Sequence, residues 1–445
     1  MERLKELIDS RQYGLFRQEI EEYNVQDIAE FLESMKANER NKIFRILPKS
    51  IAADVFSYLD ITLQQDMIGS MSDMEAADLI DNLYADDAAD LLEEMPANVV
   101  KKLLASASAE TRSAINHLLK YPEDSAGSIM TVEFVDLKES LTVSQAIERI
   151  RRVGIDKETI NVCYVLDSNR KLIGTVALRY LLLSDPDAVI GNIMHENVVT
   201  INTMDDQEEV ARTFQKYDFT AMPVVDSEGR LVGIITVDDV VDIMEQEATE
   251  DIEMMAGIIP TDKSYTKEGI WETYKKRIPW LLLLMISATF TGRIIQHYEE
   301  SIAVAGYLVL TSFIPMLMDT GGNCGSQASV SIIRSLSLDE IEFRDIFRVC
   351  FKEMRVAVLC GITLAAANFV KLLLIDRVTV YVAFVVCFTL ILTVLAAKIV
   401  GSCLPILAKQ LRFDPAVMAS PFITTIVDAL SLMIYFKIAT IMLGL

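Results

Sequence analysis

The C-terminal part of the chain is built from long apolar stretches, and these constrain the fold more than any other feature of the sequence. Each can supply the roughly 20 residues that a helix needs to cross the hydrocarbon core of a bilayer. They lie at about 278–296, 302–333, 350–375, 378–408 and 417–443. The sequence therefore predicts an all-α transmembrane domain of five helices over residues 275–445.

The charged residues between these stretches predict the orientation of the chain in the membrane. Basic residues cluster before the first stretch, between the second and third, and between the fourth and fifth: Lys275, Lys276, Arg277, Arg334, Arg344, Arg348, Lys352, Lys409 and Arg412. Because cytoplasmic loops carry the excess of Lys and Arg, the N-terminus is predicted to be cytosolic and the C-terminus outside. The N-terminal sequence lacks the basic flank and apolar core of a secretory signal. A multi-pass protein of the cytoplasmic membrane is expected.

The rest of the chain is strongly acidic. Residues 275–445 carry 15 Lys and Arg and 11 Asp and Glu, which leaves 26 basic and 53 acidic side chains for residues 1–274. Carboxylates at this density repel one another unless cations neutralise them, and divalent cations that prefer oxygen ligands are suited to this. Only three histidines are present and no cysteines form a CxxC pair, which argues against softer metals and zinc sites. The sequence thus indicates a cation-sensing body attached to a cation-handling membrane domain.

Residues 1–125 contain a repeat with a period of 12 residues. Each unit has an apolar pair followed at a distance of three residues by another apolar side chain, so that all three share one face of a short helix. The pairs are Phe31-Leu32, Ile43-Phe44, Val55-Phe56, Met67-Ile68, Leu79-Ile80, Leu91-Leu92 and Leu103-Leu104. Such a series predicts stacked helical hairpins in a small α-solenoid with the acids outside. A generic helical bundle is the alternative.

Residues 126–250 consist of two similar halves. Each opens on an Ile-Met dipeptide, at Ile129 and Ile193, and closes on two β-rich runs, VCYVLDSNRKLIGTVAL and AMPVVDSEGRLVGIITV. Turn residues separate the strands within each run, as in a hairpin. This pattern resembles the tandem cystathionine-β-synthase (CBS) module, an α/β regulatory unit. Thr236 and Asp239 match the T-x-x-D nucleotide signature of that family.

An acidic segment connects this module to the membrane domain. Residues 240–275 predict a long helix, a break at Pro260 and a second helical stretch, and we assign 251–274 as the connecting region. The acids around the junction are Asp242, Glu245, Glu247, Glu250, Asp251 and Glu253. Most such runs are solvated helix faces. This one connects a sensor to a membrane part, so it is the natural segment to transmit movement between them.

One carboxylate, Asp428, lies midway along the last apolar stretch. A charged side chain at the centre of a membrane helix costs roughly 2.5–3.5 kcal/mol on insertion scales, so it should face a wet cavity or a partner. A structural ion pair with Lys398 or Lys437 is the alternative to a functional role. The neighbouring stretches offer oxygen ligands and little positive charge, which favours function.

The second stretch contains the sequence PMLMDTGGNCGSQAS. Pro315, Gly321, Gly322 and Gly325 favour a broken helix, which would free carbonyl oxygens next to Asn323 and Gln327. Close packing of helices through small residues is the alternative. Asp319 adds a carboxylate. An oxygen-lined path with one or two acids suits a hard cation, and Mg²⁺ in particular keeps several waters and needs few protein ligands.

The order of these parts, with the motifs TGGNCGSQ, FKEM, DPA and SPFITTIVDALSLMIYF, resembles the MgtE family of magnesium channels over essentially the whole chain. The resemblance implies that Asp428 is the pore carboxylate for hydrated Mg²⁺, with Gly321, Gly322 and Asn323 beside it. Ser420 occupies a position near the pore entrance that can be Asn in the family. Selectivity among Mg²⁺, Mn²⁺, Co²⁺ and Ca²⁺ stays open.

The resemblance also implies regulatory sites for Mg²⁺ and a homodimer with facing CBS pairs. The implied cytosolic metal ligands are Asp218, Asp239, Asp242, Glu247, Glu250, Asp251 and Asp414. In the helical repeat no motif anchors the comparison, and Asp86 and Asp87 are the candidates. Because some relatives bind ATP at the CBS module, Thr236 and Asp239 are candidate nucleotide ligands.

These observations predict a magnesium importer that closes when cytosolic Mg²⁺ bridges its acidic surfaces. One rival is a secondary transporter in which Asp428 carries a proton or exchanges Na⁺ for the divalent ion, so that uptake depends on a proton or Na⁺ gradient. Another is a CBS-regulated receptor that binds nucleotide and moves nothing. The sequence contains no P-loop motif and no nucleophile with a base at a recognisable spacing. We expect no enzyme and no nucleic-acid partner.

Overall fold

The computed structural model of the chain describes residues 1–261, 265, 268–304, 308–418 and 420–443, with the side chains of residues 50, 299–304, 308 and 420 outside this description. The chain divides into two compact units, Met1–Met244 and Glu245–Leu445. The first contains the helical repeat and two small β-sheets. The second contains the long apolar helices.

The repeat forms ten helices in the described part of the chain. They are α1 Glu2–Asp9, α2 Tyr13–Glu19, α3 Val25–Glu33, α4 Ala37–Phe44, α5 Lys49–Ser57, α6 Ile61–Ser70, α7 Asp73–Ile80, α8 Ala85–Glu93, α9 Ala97–Ser106 and α10 Ala109–Leu118. Each of the seven apolar pairs lies in its own helix, from α3 to α9, and every pair is buried. The predicted repeat is confirmed.

The repeat helices pack on the second helix along the chain. One row runs α3, α5, α7 and α9, and the other runs α4, α6, α8 and α10. The apolar pairs meet between the rows, where the rings of Phe44 and Phe56 lie 5.8 Å apart. Ser72 begins α7 with a capping box closed by Glu75, which fixes the point where the chain turns into the next unit. The contacts are those of a solenoid, as predicted.

The two CBS-like halves each form a three-stranded sheet. The strands are β1 Asp136–Lys138, β2 Val162–Leu166, β3 Leu172–Ala177, β4 Ile201–Asn202, β5 Ala221–Val225 and β6 Leu231–Thr236. In each sheet the first strand pairs parallel with the second, and the second pairs antiparallel with the third. The helices of this region are α11 Val143–Val153, α12 Leu178–Leu183, α13 Ile190–Ile193 and α14 Gln207–Tyr217. The predicted tandem α/β module is confirmed.

The two halves exchange their opening segments. Thr131, from the opening of the first half, bridges to Ile234 in β6 of the second half, and His195 bridges to Thr175 in β3 of the first. The Sδ atoms of Met130 and Met194 lie over Gly233 and Gly174, where any side chain would collide with them. Each opening segment thus packs against the sheet of the other half, so the two repeats fold as one unit.

Helix α15, Val237–Met255, follows β6 directly and runs across the predicted boundary at residue 250. It ends near Gly257, whose φ of +72° glycine adopts readily. A methyl group on Gly257 would lie 2.1 Å from Cδ1 of Trp280, so the close approach of the indole also requires glycine. Helical structure resumes at Ile270. Of the predicted connecting region 251–274, only the two ends are helical in the described residues.

The second unit contains five long helices in its described part: α16 Ile270–Val304, α17 Ile314–Ser337, α18 Ile346–Leu374, α19 Val380–Gln410 and α20 Ser420–Leu443. Four described segments are long and apolar enough to cross a membrane, at Ile270–Tyr298, Phe343–Leu374, Val380–Gln410 and Pro415–Leu443. Helix α17 is less apolar, and its polar residues include Asp319, Asn323 and Gln327. It packs between α19 and α20, while α18 packs on α19 and α16 on α20.

The glycine-rich segment does not break α17, contrary to the broken turn expected from the sequence. Pro315 lies in the first helical turn, where no intrahelical donor is needed. A methyl group on Gly321 would lie 2.8 Å from Ser431 Oγ, and one on Gly401 would lie 2.2 Å from the carbonyl oxygen of Gly325. The small residues therefore let α17 touch the neighbouring helices closely. The alternative of close helix packing is the correct one.

Candidate cation sites

A cavity of about 570 Å³ in the first unit is lined by seven carboxylates and by no Lys or Arg among the described residues. The acids are Asp54, Asp86, Asp87, Glu158, Asp238, Asp239 and Asp242. Asp86 and Asp87 occupy the first turn of α8, and Asp238 and Asp239 the first turn of α15. Carboxylates are favoured at helix N-termini because of the partial positive charge there. The first turns of two helices therefore bring together acids that are far apart in the sequence.

Burial and mutual repulsion perturb these carboxylates. Burial raises the pKa of Asp87 to about 7, and Asp239 and Asp54 add to the shift. Burial followed by the charge of Asp238 raises the pKa of Glu158 to about 7. The pKa of Asp86 is raised well above its ordinary value, again by burial first and then by Asp87. Such a group of carboxylates favours either protons or a bound cation.

Asp239 belongs to two candidate sites at once. Its Oδ2 accepts a hydrogen bond of 2.9 Å from Thr236 Oγ1, within the T-x-x-D signature at the junction of β6 and α15. Burial raises its pKa to about 6, against the opposing hydrogen bond from Thr236. Because Asp239 also lines the acidic cavity, a nucleotide at the signature and a cation in the cavity would share one carboxylate.

Two groups of predicted sensor residues lie elsewhere. Asp218 caps the C-terminus of α14 in the left-handed conformation and is exposed, away from the cavity lining. Asp251 Oδ2 accepts a hydrogen bond of 3.3 Å from Ser337 Oγ at the end of α17. Met254 and Met255 pack nearby on Ile333 and Ala416. The end of α15 thus contacts the end of α17 within the second unit.

The other predicted residues on α15 and Asp414 fall near this contact. Glu247 lies one turn of α15 before Asp251, Glu250 immediately precedes it, and both are half-buried. Asp414 is exposed, and its Oδ1 accepts the amide N–H of Ala416 at 2.7 Å. The carboxylate thereby fixes the short turn that receives Met254 and Met255. Asp414 and the end of α15 are brought to one side of the second unit.

The second unit contains an open cleft of about 520 Å³ between α17 and α20, lined by Ile314, Pro315, Met318, Asp319, Gly322, Asn323, Thr424 and Asp428. Asp428 is half-buried. A methyl group on Gly322 would lie 3.1 Å from Thr424 Cγ2 and 3.9 Å from Asp428 Oδ1. The missing side chain at this position therefore brings the carboxylate next to the backbone of α17. The side chain of Ser420 lies outside the described residues.

The alternative of a structural ion pair at Asp428 is not supported. Lys398 is buried and pairs with Glu353 of α18 at 3.4 Å. Lys437, the other candidate, is exposed. No ion pair to Asp428 is found among the described residues. The carboxylate faces the cleft together with Asp319 and Asn323.

Sequence reasoning missed Asp54, Glu158 and Asp238, which complete the acidic cavity. A signal was present for Asp54, because acids recur immediately before the apolar pairs of the repeat, at Glu30, Asp54, Asp66, Asp78 and Asp90. Glu158 carries no local signal, since it lies in the irregular segment after α11. Within the described residues, no three Asp, Glu, His or Cys side chains converge to hold a metal by themselves. Ligation would need water, which suits Mg²⁺.

Comparisons with known proteins cover every part of the chain just described. The family described as a divalent cation transporter, MgtE, matches residues 314–438, the MgtE intracellular N domain matches 23–124, and the CBS domain matches 126–185 and 190–246. The magnesium transporter MgtE of Thermus thermophilus is 36% identical, over 99% of this chain and 98% of that protein. Its counterpart in Bacillus subtilis is 33% identical, over 96% and 93%.

Solved structures match about half of the chain. The soluble part of a magnesium transporter aligns with a TM-score of 0.53 at 34% identity, covering 55% of this chain and 96% of that one. The cytosolic domain of the Mg²⁺ channel MgtE in complex with ATP aligns with a TM-score of 0.51 at 38% identity, covering 54% and 98%. The family consists of membrane transporters, so the prediction that the chain is not an enzyme is confirmed. The chain belongs to the MgtE family of divalent cation transporters.

Proposed function

We propose that the chain imports Mg²⁺ across the cytoplasmic membrane through the cleft between α17 and α20, and that cytosolic Mg²⁺ closes this path. The observation that carries the proposal is Asp428, a half-buried carboxylate on a membrane helix that lines an open cleft and forms no ion pair among the described residues. A charge at this depth is expensive unless it serves a wet path. The N-terminus is proposed to be cytosolic and the C-terminus outside.

The size and chemistry of the cleft support a hydrated ion. Six waters at about 30 Å³ each need roughly 180 Å³, which fits within the cleft volume of about 520 Å³. Asp428, Asp319 and Asn323 offer carboxylate and amide oxygens. Mg²⁺ dehydrates reluctantly and is usually held through one or two carboxylates and several waters. The proposed pore ligands are Asp428 and Asn323, with Gly321 and Gly322 providing room and Ser420 at the entrance.

The polar face of α17 supports a homodimer. Asp319, Asn323 and Gln327 are spaced four residues apart and are all exposed in the single chain. Lipid does not solvate such a row of polar groups, so a second copy or water must cover it. We propose that two copies place these faces opposite each other and that the ion passes between them.

The acidic cavity is the proposed sensor. Two carboxylates 4 Å apart repel by about 1 kcal/mol in water and by about 4 kcal/mol at an effective dielectric of 20. Shifting a closed-to-open ratio from 1:99 to 99:1 takes about 5.5 kcal/mol. Relief of a few repulsions among Asp54, Asp86, Asp87, Glu158 and Asp239 by bound Mg²⁺ is therefore large enough to gate the protein.

The end of α15 is the proposed point where the sensor acts on the membrane domain. Asp251, Met254 and Met255 touch the end of α17 and the turn after Asp414. Mg²⁺ bound by Glu247, Glu250 and Asp251 with Asp414 would strengthen this contact and hold α17 in place. We propose domain boundaries at 1–125, 126–250, 251–274 and 275–445. The family matches at 23–124, 126–185 and 190–246 support the first two.

ATP is a second proposed regulator, bound at Thr236 and Asp239. The ATP complex of the related cytosolic domain supports this assignment. Because Asp239 lines the acidic cavity, we expect ATP to change the Mg²⁺ affinity of the sensor. Calorimetric titration of Mg²⁺ with and without ATP tests it. Identical Mg²⁺ affinities in the two titrations would contradict the shared carboxylate.

Flux of Mg²⁺ into liposomes tests the transport path. We expect Asp428→Asn, which keeps the shape but removes the charge, to abolish Mg²⁺ entry at unchanged protein insertion. Asp376→Asn is the matched control, because Asp376 pairs with Lys371 at 3.3 Å in a loop far along the sequence from the cleft residues. Undiminished flux through Asp428→Asn would reject the assignment. Flux that requires an imposed proton or Na⁺ gradient would favour a coupled transporter over a channel.

Recording channel current at controlled cytosolic Mg²⁺ tests the sensor. We expect Asp54→Asn and Asp87→Asn to raise the Mg²⁺ concentration that halves the current. Asp66→Asn is the control, since Asp66 holds the equivalent repeat position to Asp54 but is exposed and outside the cavity lining. If cytosolic Mg²⁺ does not reduce the current of the unmodified protein, the proposed feedback mechanism is wrong.

A further inference from the structure

Cys350 of α18 and Cys403 of α19 form a sulfur–sulfur contact, with their Sγ atoms 2.7 Å apart. Both are free thiols. A disulfide bond has an S–S length of about 2.05 Å, so the two sulfurs need to approach by only about 0.7 Å to be bonded. Among the described residues, the other four cysteines form no such contact. Neither transport nor the cation sensor uses this pair.

The pair lies where a small oxidant has access. Both thiols are half-buried, whereas Cys163, Cys324 and Cys387 are buried. Cys350 is in the second turn of α18, beside Lys352, and Cys403 is two turns before the end of α19 at Gln410. Basic residues flank the cytoplasmic ends of membrane helices, so the pair is near the cytoplasmic surface of the membrane.

We propose that Cys350 and Cys403 are a site of reversible oxidation by hydroperoxides. One thiolate attacks a peroxide oxygen, which breaks the O–O bond and yields a sulfenic acid and, for hydrogen peroxide, one water. The second thiol then attacks the sulfenic sulfur, forms the S–S bond and releases a second water. The two thiols supply two electrons and the peroxide accepts them. A dithiol reductant restores both thiols by thiol–disulfide exchange.

The arrangement of α18 and α19 favours this bond over other products. Glu353, one turn from Cys350, pairs with Lys398 of α19, so the two helices are held together next to the thiols by an ion pair. A disulfide would fix a contact that the fold already makes. Cys360, also half-buried and on α18, provides a matched comparison, because it lacks a sulfur contact among the described residues.

Peptide mapping of the full-length protein in membrane vesicles tests the proposal. After hydrogen peroxide, alkylation with iodoacetamide and digestion without reductant, we expect one peptide pair joining Cys350 to Cys403, which dithiothreitol separates. The pair is absent from Cys350→Ser and Cys403→Ser and is retained in Cys360→Ser. The unmodified protein alone is a sufficient test. Full alkylation of both residues after peroxide, or a disulfide bond from either to another cysteine, overturns the assignment.

Discussion

Replacement of Gly401 by Ala tests whether backbone contact between α17 and α19 holds the membrane unit together. The added methyl carbon would lie 2.2 Å from the carbonyl oxygen of Gly325, 2.9 Å from its carbonyl carbon and 3.1 Å from its Cα. Ordinary contact begins near 3.4 Å, so α19 would have to withdraw by about 1.2 Å. Backbone atoms cannot rotate aside as a flexible side chain can. Overpacking of this kind costs about 1–3 kcal/mol.

The matched control is Gly292→Ala in α16, where the added methyl group meets nothing within 4 Å. Alanine stabilises a helix interior by about 0.5–1 kcal/mol relative to glycine, and both variants gain this term. The difference between them therefore isolates the contact with Gly325 and should amount to about 1–3 kcal/mol. At about 2–4 °C per kcal/mol for a unit of this size, Gly401→Ala should unfold about 2–12 °C below Gly292→Ala.

Thermal unfolding of the purified protein, followed by helical circular dichroism, measures this difference. Mg²⁺ flux in liposomes gives a second readout, because displacement of α19 also shifts α17, which lines the cleft with Asp428. If Gly401→Ala melts at or above Gly292→Ala, the two backbones are not in contact, and the account of the glycine cluster fails.

Three further outcomes follow from the same structure. Lys398→Met alone should cost about 3–5 kcal/mol in thermal unfolding, because it leaves Glu353, whose side chain is only 13% exposed, without its ion-pair partner, and the double substitution to Met should recover most of that loss. Without divalent cations, the acidic unit should lose stability as pH rises from about 4 to about 7. The folded pKa of Asp87, about 7, lies above its unfolded value, so the folded state binds more protons in this window. Saturating Mg²⁺ should remove that slope in melts across pH. Gly257→Ala, strained at φ +72° and 2.1 Å from the Trp280 ring, should speed proteolysis after α15, whereas Gly269→Ala, with nothing within 4 Å, should not.

The helical repeat could be predicted from the sequence because its signal is local. A 12-residue period is long enough for one short helix and one turn, and the apolar pair marks the buried face in every unit. The CBS-like halves could also be predicted from the sequence, since each strand pair and its turn lie within a single β-rich run of residues. In both regions the residues that specify an element are neighbours in the chain, so pattern alone determines it.

The glycine cluster was misread because its partners are far away in the chain. Gly321, Gly322 and Gly325 have poor helix propensity, and propensity alone favours a break. The observed helix persists because Gly325 meets Gly401 and because Gly321 meets Ser431 and Thr393. Tertiary packing overrides propensity here, and no local pattern reports those contacts. Glu158 was missed for the same reason, since it joins the other acids of the cavity only in the fold.

An unbroken α17 also changes which atoms can hold the cation. In a continuous helix the backbone carbonyl oxygens accept intrahelical hydrogen bonds, so the freed carbonyls expected from a broken turn are absent from the described cleft. The oxygens left to the ion belong to side chains: Asp428, Asp319, Asn323 and Thr424. Thr424 Oγ1 donates its hydrogen to the carbonyl of Pro421 at 2.9 Å, which leaves its lone pairs directed away from that bond. A cleft with few side-chain oxygens around an ion that keeps its waters selects by charge and hydration, whereas a ring of carbonyls would replace those waters. Mg²⁺ gives up its waters reluctantly, which suits the first arrangement.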